Sequence, residues 1–74
     1  MATARRKFTT PKFVIERVDT LEDTRKTKGL TRRNVADETG LRYEYILQYE
    51  MGYGYPQREN YNKLAKLFDW EEWK

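Results

Sequence analysis

Short stretches with apolar residues at helical spacing alternate along this chain with brief polar or glycine-containing breaks. Val14, Val18 and Leu21 fall at i, i+4 and i+7, the spacing of one helix face. Two starts compete for that segment. Thr10 can cap it with Pro11 in the first turn, or Asp19 can cap a later start with Glu22 three residues on as a capping box. The run Phe13-Val14-Ile15 also suits extended backbone, so the pattern predicts a first helix over 19–28 whose start is open back to about residue 14. Gly29 ends it, because glycine tolerates the positive φ of a helix terminus.

Thr31 then caps a second helix that runs through Thr39, with Val35 and Ala36 facing inward and Gly40 closing it. The third runs from about Arg42 to Glu50, with Ile46 and Tyr49 on its inner face and Leu41 just before it. Two glycines and a proline make the stretch from Met51 to Gln57 a loop. A fourth helix spans about Arg58–Phe68, where Tyr61, Leu64, Ala65 and Phe68 form a stripe. Asp69 is placed to cap a last turn carrying Trp70 and Trp73. The expected fold is all-α: five short helices around one core over residues 13–74. Residues 1–12, which show no period, form a flexible basic arm.

Composition narrows the chemistry. At 74 residues there is room for one domain and a small core, too little for an enzyme with a deep cleft. His and Cys are both absent. That removes disulfides, thiol nucleophiles, zinc-finger ligation and imidazole catalysis together. No nucleophile–base pair or metal set stands out, so no enzyme activity, cofactor or metal is expected. No apolar run approaches the roughly 18–20 residues needed to span a bilayer, and no hydrophobic stretch follows the basic N-terminus as a secretory signal requires.

Charge is distributed unevenly. Residues 1–33 hold ten basic and four acidic side chains, whereas residues 34–74 hold five basic and eight acidic ones. A basic half joined to an acidic half fits a polyanion-binding face, and it also fits self-association or a plain solvated surface. Aromatic residues make up 15% of a very polar chain. They suit a core of a few large rings with some rings left for contacts.

In order and without a gap, the chain presents Arg25, Gly29, Leu30, Thr31, Val35, Ala36, Gly40, Leu41, Ile46, Tyr49, Glu50, Gly52 and Pro56. This register resembles the lambda-repressor-like (Cro/CI, XRE) helix-turn-helix DNA-binding domains over about residues 19–70, with the helix-turn-helix formed by the second and third helices. Several positions have physical reasons. Ala36 must be small where two helices cross, and Gly40 turns the chain sharply between them. The resemblance also implies a structural ion pair between Arg25 and Glu50.

Departures from the family pattern bear on function. The usual Gln after the Thr cap, which reaches a phosphate, is Arg32, which can also bind phosphate. The usual Ser cap of the third helix is Arg42. The outward face of that helix, Arg42, Tyr43, Glu44, Leu47, Gln48 and then Met51, is aromatic and poor in positive charge. Tyr53 and Tyr55 occupy a loop that often carries Lys or Arg in the family.

The resemblance implies a sequence-specific transcription regulator of phage or mobile-element type, acting in the bacterial cytoplasm on the nucleoid. Its partner is double-stranded DNA, bound as a homodimer on a two-fold site. Gln48 can pair with adenine, Glu44 can accept from cytosine, and Arg42 can meet phosphate or guanine. Tyr43 can touch a thymine methyl. Arg5, Arg6 and Lys7 suit the minor groove or backbone, Arg32 and Arg33 suit phosphate, and the Tyr53 hydroxyl can hydrogen-bond it. The competing reading is a helix-turn-helix fold used as a protein-interaction module, binding a repressor or polymerase through its aromatic third helix. Trp70 and Trp73 can close the core or form a dimer seam.

Overall fold

Helix formation starts where a proline sets the backbone. Pro11, extended at φ −60° and ψ 149°, is the N-cap of α1 (Lys12–Asp19). The structure, a computed structural model, describes residues 10–74. Helix α1 takes in Lys12, which the sequence pattern assigned to the arm, so the folded domain begins slightly earlier than expected. It ends at Thr20, whose hydroxyl donates to the carbonyls of Glu16 (3.3 Å) and Arg17 (3.1 Å). Helix α2 (Leu21–Thr27) follows at once.

The two competing starts therefore resolve into two helices. Asp19 is not a cap but the last residue of α1, and no side chain caps α2. Glu22 makes no capping box and instead pairs with Lys26 one turn on, at 3.0 Å. Val14 and Val18 before the break and Leu21 after it are all essentially fully buried, so α1 and α2 face the same core.

Helices α3 (Arg32–Thr39), α4 (Tyr43–Met51) and α5 (Arg58–Phe68) correspond to the second, third and fourth helices expected from sequence. At the start of α3 the Thr31 hydroxyl accepts from the Asn34 amide, and the Asn34 side chain accepts from the Thr31 amide, both at 3.0 Å. This is a reciprocal capping box with Asn in the Glu role. Gly40 closes α3 at φ 79°, and its N–H donates to the Ala36 carbonyl at 2.8 Å. A Cβ there would meet nothing within 4 Å, so the demand on Gly40 is conformational rather than steric. Arg42 precedes α4 without a side-chain cap bond.

The core is drawn from every helix: Val14, Val18, Leu21, Val35, Ile46, Tyr61 and Leu64 are almost completely buried. Helix α4 is cradled by α1, α2 and α3, with α3 its most extensive partner, and α5 packs behind α3. None of the helices among the described residues is long and apolar enough to cross a membrane.

The C-terminal segment differs from the helical turn expected over Trp70 and Trp73. No helical turn follows α5; Asp69 adopts a left-handed conformation (φ 62°, ψ 40°) that ends it. Residues 70–74 continue without helical structure. The Asn62 side chain holds this tail by donating to the Trp73 carbonyl (2.9 Å) and accepting from its amide (2.8 Å). The Tyr61 hydroxyl donates to the Glu71 carbonyl at 2.8 Å. Trp70 stacks on both Tyr61 and Phe68, with ring centroids 5.8 Å and 5.2 Å apart. Phe13 and Trp73 approach Tyr61 edge-on. Both tryptophans thus close the core. Five helices are present among the described residues because the first expected helix is two, not because a last one is added.

Candidate nucleic-acid interface

The turn between α3 and α4 is supported from beneath by a buried charge cluster. Glu50, at the end of α4, receives the Arg25 Nε on Oε2 at 2.6 Å and the Arg25 Nη2 on Oε1 at 3.2 Å. Arg25 Nη1 also donates to the Leu30 carbonyl at 2.9 Å. A second arginine joins them: Arg32 Nε donates to Glu50 Oε1 at 2.8 Å. Side-chain exposure is 1% for Glu50, 8% for Arg25 and 31% for Arg32, so one carboxylate ties α2, α3 and α4 with little water present. Glu50, and after it Tyr43, hold the Arg32 guanidinium above its ordinary pKa.

Beside this cluster lies the N-terminus of α3. The amides of Asn34 and Val35 are bonded to Thr31, whereas those of Arg32 and Arg33 find no acceptor among the described residues. Arg33 is exposed and its guanidinium lies 5.5 Å from the centre of the Tyr43 ring, in cation–π range. Arg25, Thr31, Arg32, Arg33 and Tyr43 together line a shallow concavity between α3 and α4. Open N–H groups, a helix N-terminus and arginines give it a positive field suited to a phosphate oxygen.

Helix α4 is anchored by Ile46 and Tyr49, both buried. Its solvent side exposes Arg42, Tyr43, Glu44, Tyr45, Gln48 and Met51, while Leu47 is half-buried. Arg42 and Glu44 sit 3.8 Å apart and partly neutralise each other. Beyond α4, Tyr53 projects into solvent at 75% exposure. Tyr55 instead donates its hydroxyl to Asp19 Oδ1 at 2.8 Å, fixing the loop to the α1–α2 corner. That bond to Asp19 raises the Tyr55 phenol pKa.

Arg32, Arg33 and Tyr43 are therefore brought together, while Arg42, Glu44, Gln48 and Tyr53 are exposed on α4, at its start and in the loop after it. Arg5, Arg6 and Lys7 lie outside the described residues. Two participants escaped the sequence reading. Tyr45 is exposed with its ring 6.5 Å from that of Tyr49, a neighbour that i, i+4 spacing makes visible in sequence. The Arg32–Glu50 bond has no such local signal, because its partners lie 18 residues apart.

A family model described as helix-turn-helix matches residues 21–71, which include the whole charge cluster and all of α4. No curated protein and no solved structure matches the chain. The matched residues cover α2 to α5 in the observed order, with the turn at Gly40 between α3 and α4. The chain belongs to the XRE, lambda-repressor-like helix-turn-helix family of DNA-binding regulators.

Proposed function

We propose that this protein is a sequence-specific, double-stranded-DNA-binding transcription regulator that places α4 in the major groove. One observation carries the reading. The polar face of α4 is free of core duties and stands beside the open amides of Arg32 and Arg33. A helix so presented reaches base edges while the neighbouring helix start meets the backbone. Gln48, Glu44 and Tyr43 read bases, with Gln48 matched to adenine and Glu44 to cytosine N4. Arg42, Tyr53 and the start of α3 meet phosphates, and the arm residues Arg5, Arg6 and Lys7 track the backbone or minor groove. Two copies on a two-fold site complete the arrangement.

A second reading rests on a specific feature. Tyr43, Tyr45, Met51, Tyr53 and Tyr55 are exposed large side chains on or after α4, an enrichment typical of protein-binding surfaces. Salt dependence separates the two. DNA binding requires the affinity for duplex DNA to fall linearly with salt on logarithmic axes, with a slope near −0.9 for each phosphate neutralised. Measurable affinity that stays flat across salt, or no affinity for duplex DNA, would replace the regulator with an interaction module.

A further inference from the structure

Arg32 and Arg33 are adjacent in sequence and both stand at the start of α3, yet their surroundings differ. Arg32 is committed to Glu50 through its Nε and is two-thirds covered. Arg33 is exposed, has no carboxylate partner among the described residues and lies over the ring of Tyr43. Arg25 already supplies Glu50 with a bidentate partner, so neutralising that carboxylate does not require Arg32. What Arg32 adds is a direct bond from the first residue of α3 to the last turn of α4. Arg25 reaches Glu50 from α2 and cannot provide that bond.

Resting on the DNA-binding reading, we propose that the two arginines divide the work. Arg32 is a positioning residue that sets α4 against α3 through Glu50. Arg33, seated on Tyr43, is the residue that meets the phosphate. The pairing also gives Tyr43 a second role, since its ring lies within cation–π range of the Arg33 guanidinium and helps to hold it at the edge of the groove-facing helix. A planar guanidinium held in this way keeps its N–H edge available to phosphate oxygens.

The division predicts unlike consequences for neighbouring substitutions. A lost phosphate contact weakens all sequences alike and flattens the salt slope by about one unit. A lost positioning bond leaves the slope alone and instead blurs the discrimination made by α4. Arg32→Gln is informative because glutamine can still hydrogen-bond Glu50 but carries no charge.

The test uses the full chain, a random-sequence duplex pool and the fragments the protein selects from that pool. Affinity is measured across salt for the wild type, Arg33→Ala, Arg32→Ala and Arg32→Gln, each checked for a cooperative thermal melt. Arg33→Ala is expected to lower the slope by about one unit on both DNAs. Arg32→Ala is expected to keep the slope and to lower the selected-over-random affinity ratio by about tenfold, the size of one good base contact. Arg32→Gln should restore that ratio, a rescue that a charge-based phosphate contact could not give. A slope reduced by about one unit in both Arg32 variants overturns the proposal, as does an unchanged ratio in Arg32→Ala. Wild-type binding that is flat in salt overturns the DNA-binding reading itself, and this division with it.

Discussion

Two regions of this small domain are held together by different chemistry. At the α3–α4 turn, one buried carboxylate joins three helices through two arginines. Elsewhere in the fold, α1, α5 and the tail meet around Tyr61, which touches Phe13, Trp70 and Trp73. Rings gain stability from the area they cover and tolerate small shifts of geometry. A buried ion pair is a poor source of net stability, but it is demanding about distance and direction. Directional bonds thus fix α4 against α2 and α3, and ring packing joins α1, α5 and the tail.

The largest expected effect comes from the aromatic region. Tyr61 is fully buried, and truncation to alanine removes three ring contacts together with the bond to the tail. Tyr61→Ala should lose about 3–5 kcal/mol, the range for large aromatic truncations. That is comparable to the whole contribution of a core this size. Its thermal melt, followed by circular dichroism, should be lost or broadened beyond a cooperative transition. A melt close to wild type would show that the tail and Trp70 are dispensable.

The charge cluster breaks differently. Glu50→Ala strands Arg25 in the interior and should cost about 3 kcal/mol. Replacing both partners, as in Arg25→Met with Glu50→Leu, should recover most of that loss, because apolar side chains fill the space without desolvating charge. Arg32 can hydrate when its partner is removed, since it is already about one-third exposed. The double variant should melt near wild type yet discriminate poorly between selected and random DNA. A double variant as unstable as Glu50→Ala would mean that the cluster supplies net cohesion, and the contrast between the two regions would fail.

The same contrast explains what the sequence could reveal. The turn between α3 and α4 is built from local signals: the Thr31 cap, small Ala36 and Gly40 at positive φ. These residues carry the family register, so the helix-turn-helix was legible. The ends of the chain were not, because contacts distant in sequence decide them. Two helix starts are visible in the sequence, at Thr10-Pro11 and at Asp19, but nothing local says that the stretch will divide into both α1 and α2 while Val14, Val18 and Leu21 still share one core. Asp69 looks like a cap for a following turn, but Asn62 and Tyr61 hold the tail in a non-helical conformation. Within the candidate interface, most of the exposed face of α4 followed from the helical period, but Tyr45 was missed and Leu47 is half-buried. The bond from Arg32 to Glu50 depended on where α3 and α4 meet.

Alkaline pH offers a milder perturbation spread over both regions. Burial pushes the phenols of Tyr49 and Tyr61 above their ordinary value, and the bond to Asp19 does the same for Tyr55. In the unfolded chain these groups ionise near pH 10, so the folded state holds their protons more tightly. Stability from this source is fully present below about pH 10 and is lost as pH rises through the raised folded values. Urea midpoints should therefore hold steady to about pH 9 and then fall. Tyr61→Phe, which keeps the ring but cannot ionise, should fall less steeply than wild type over that range. An equal fall would place the sensitivity with Tyr49 and Tyr55, on α4 and the loop after it.

The smallest expected effect runs in the stabilising direction. Asp69 is the one non-glycine residue with positive φ among the described residues, and it is exposed just past the C-terminus of α5. Two terms act against it there. A left-handed backbone crowds any Cβ, and a carboxylate beside the carbonyl end of a helix opposes the helix dipole. Asp69→Gly relieves both, offset in part by the greater freedom that glycine has in the unfolded chain. The net gain should be about 0.5–1 kcal/mol, a rise of several degrees in melting temperature for a domain this size. Because Trp70 follows immediately and its amide donates to the Ala65 carbonyl at 2.9 Å, the turn that seats the ring should survive the change. A lower melting temperature would mean that the Asp69 side chain helps to seat Trp70. The aromatic region would then depend on a directional feature of its own, and its difference from the charge cluster would narrow.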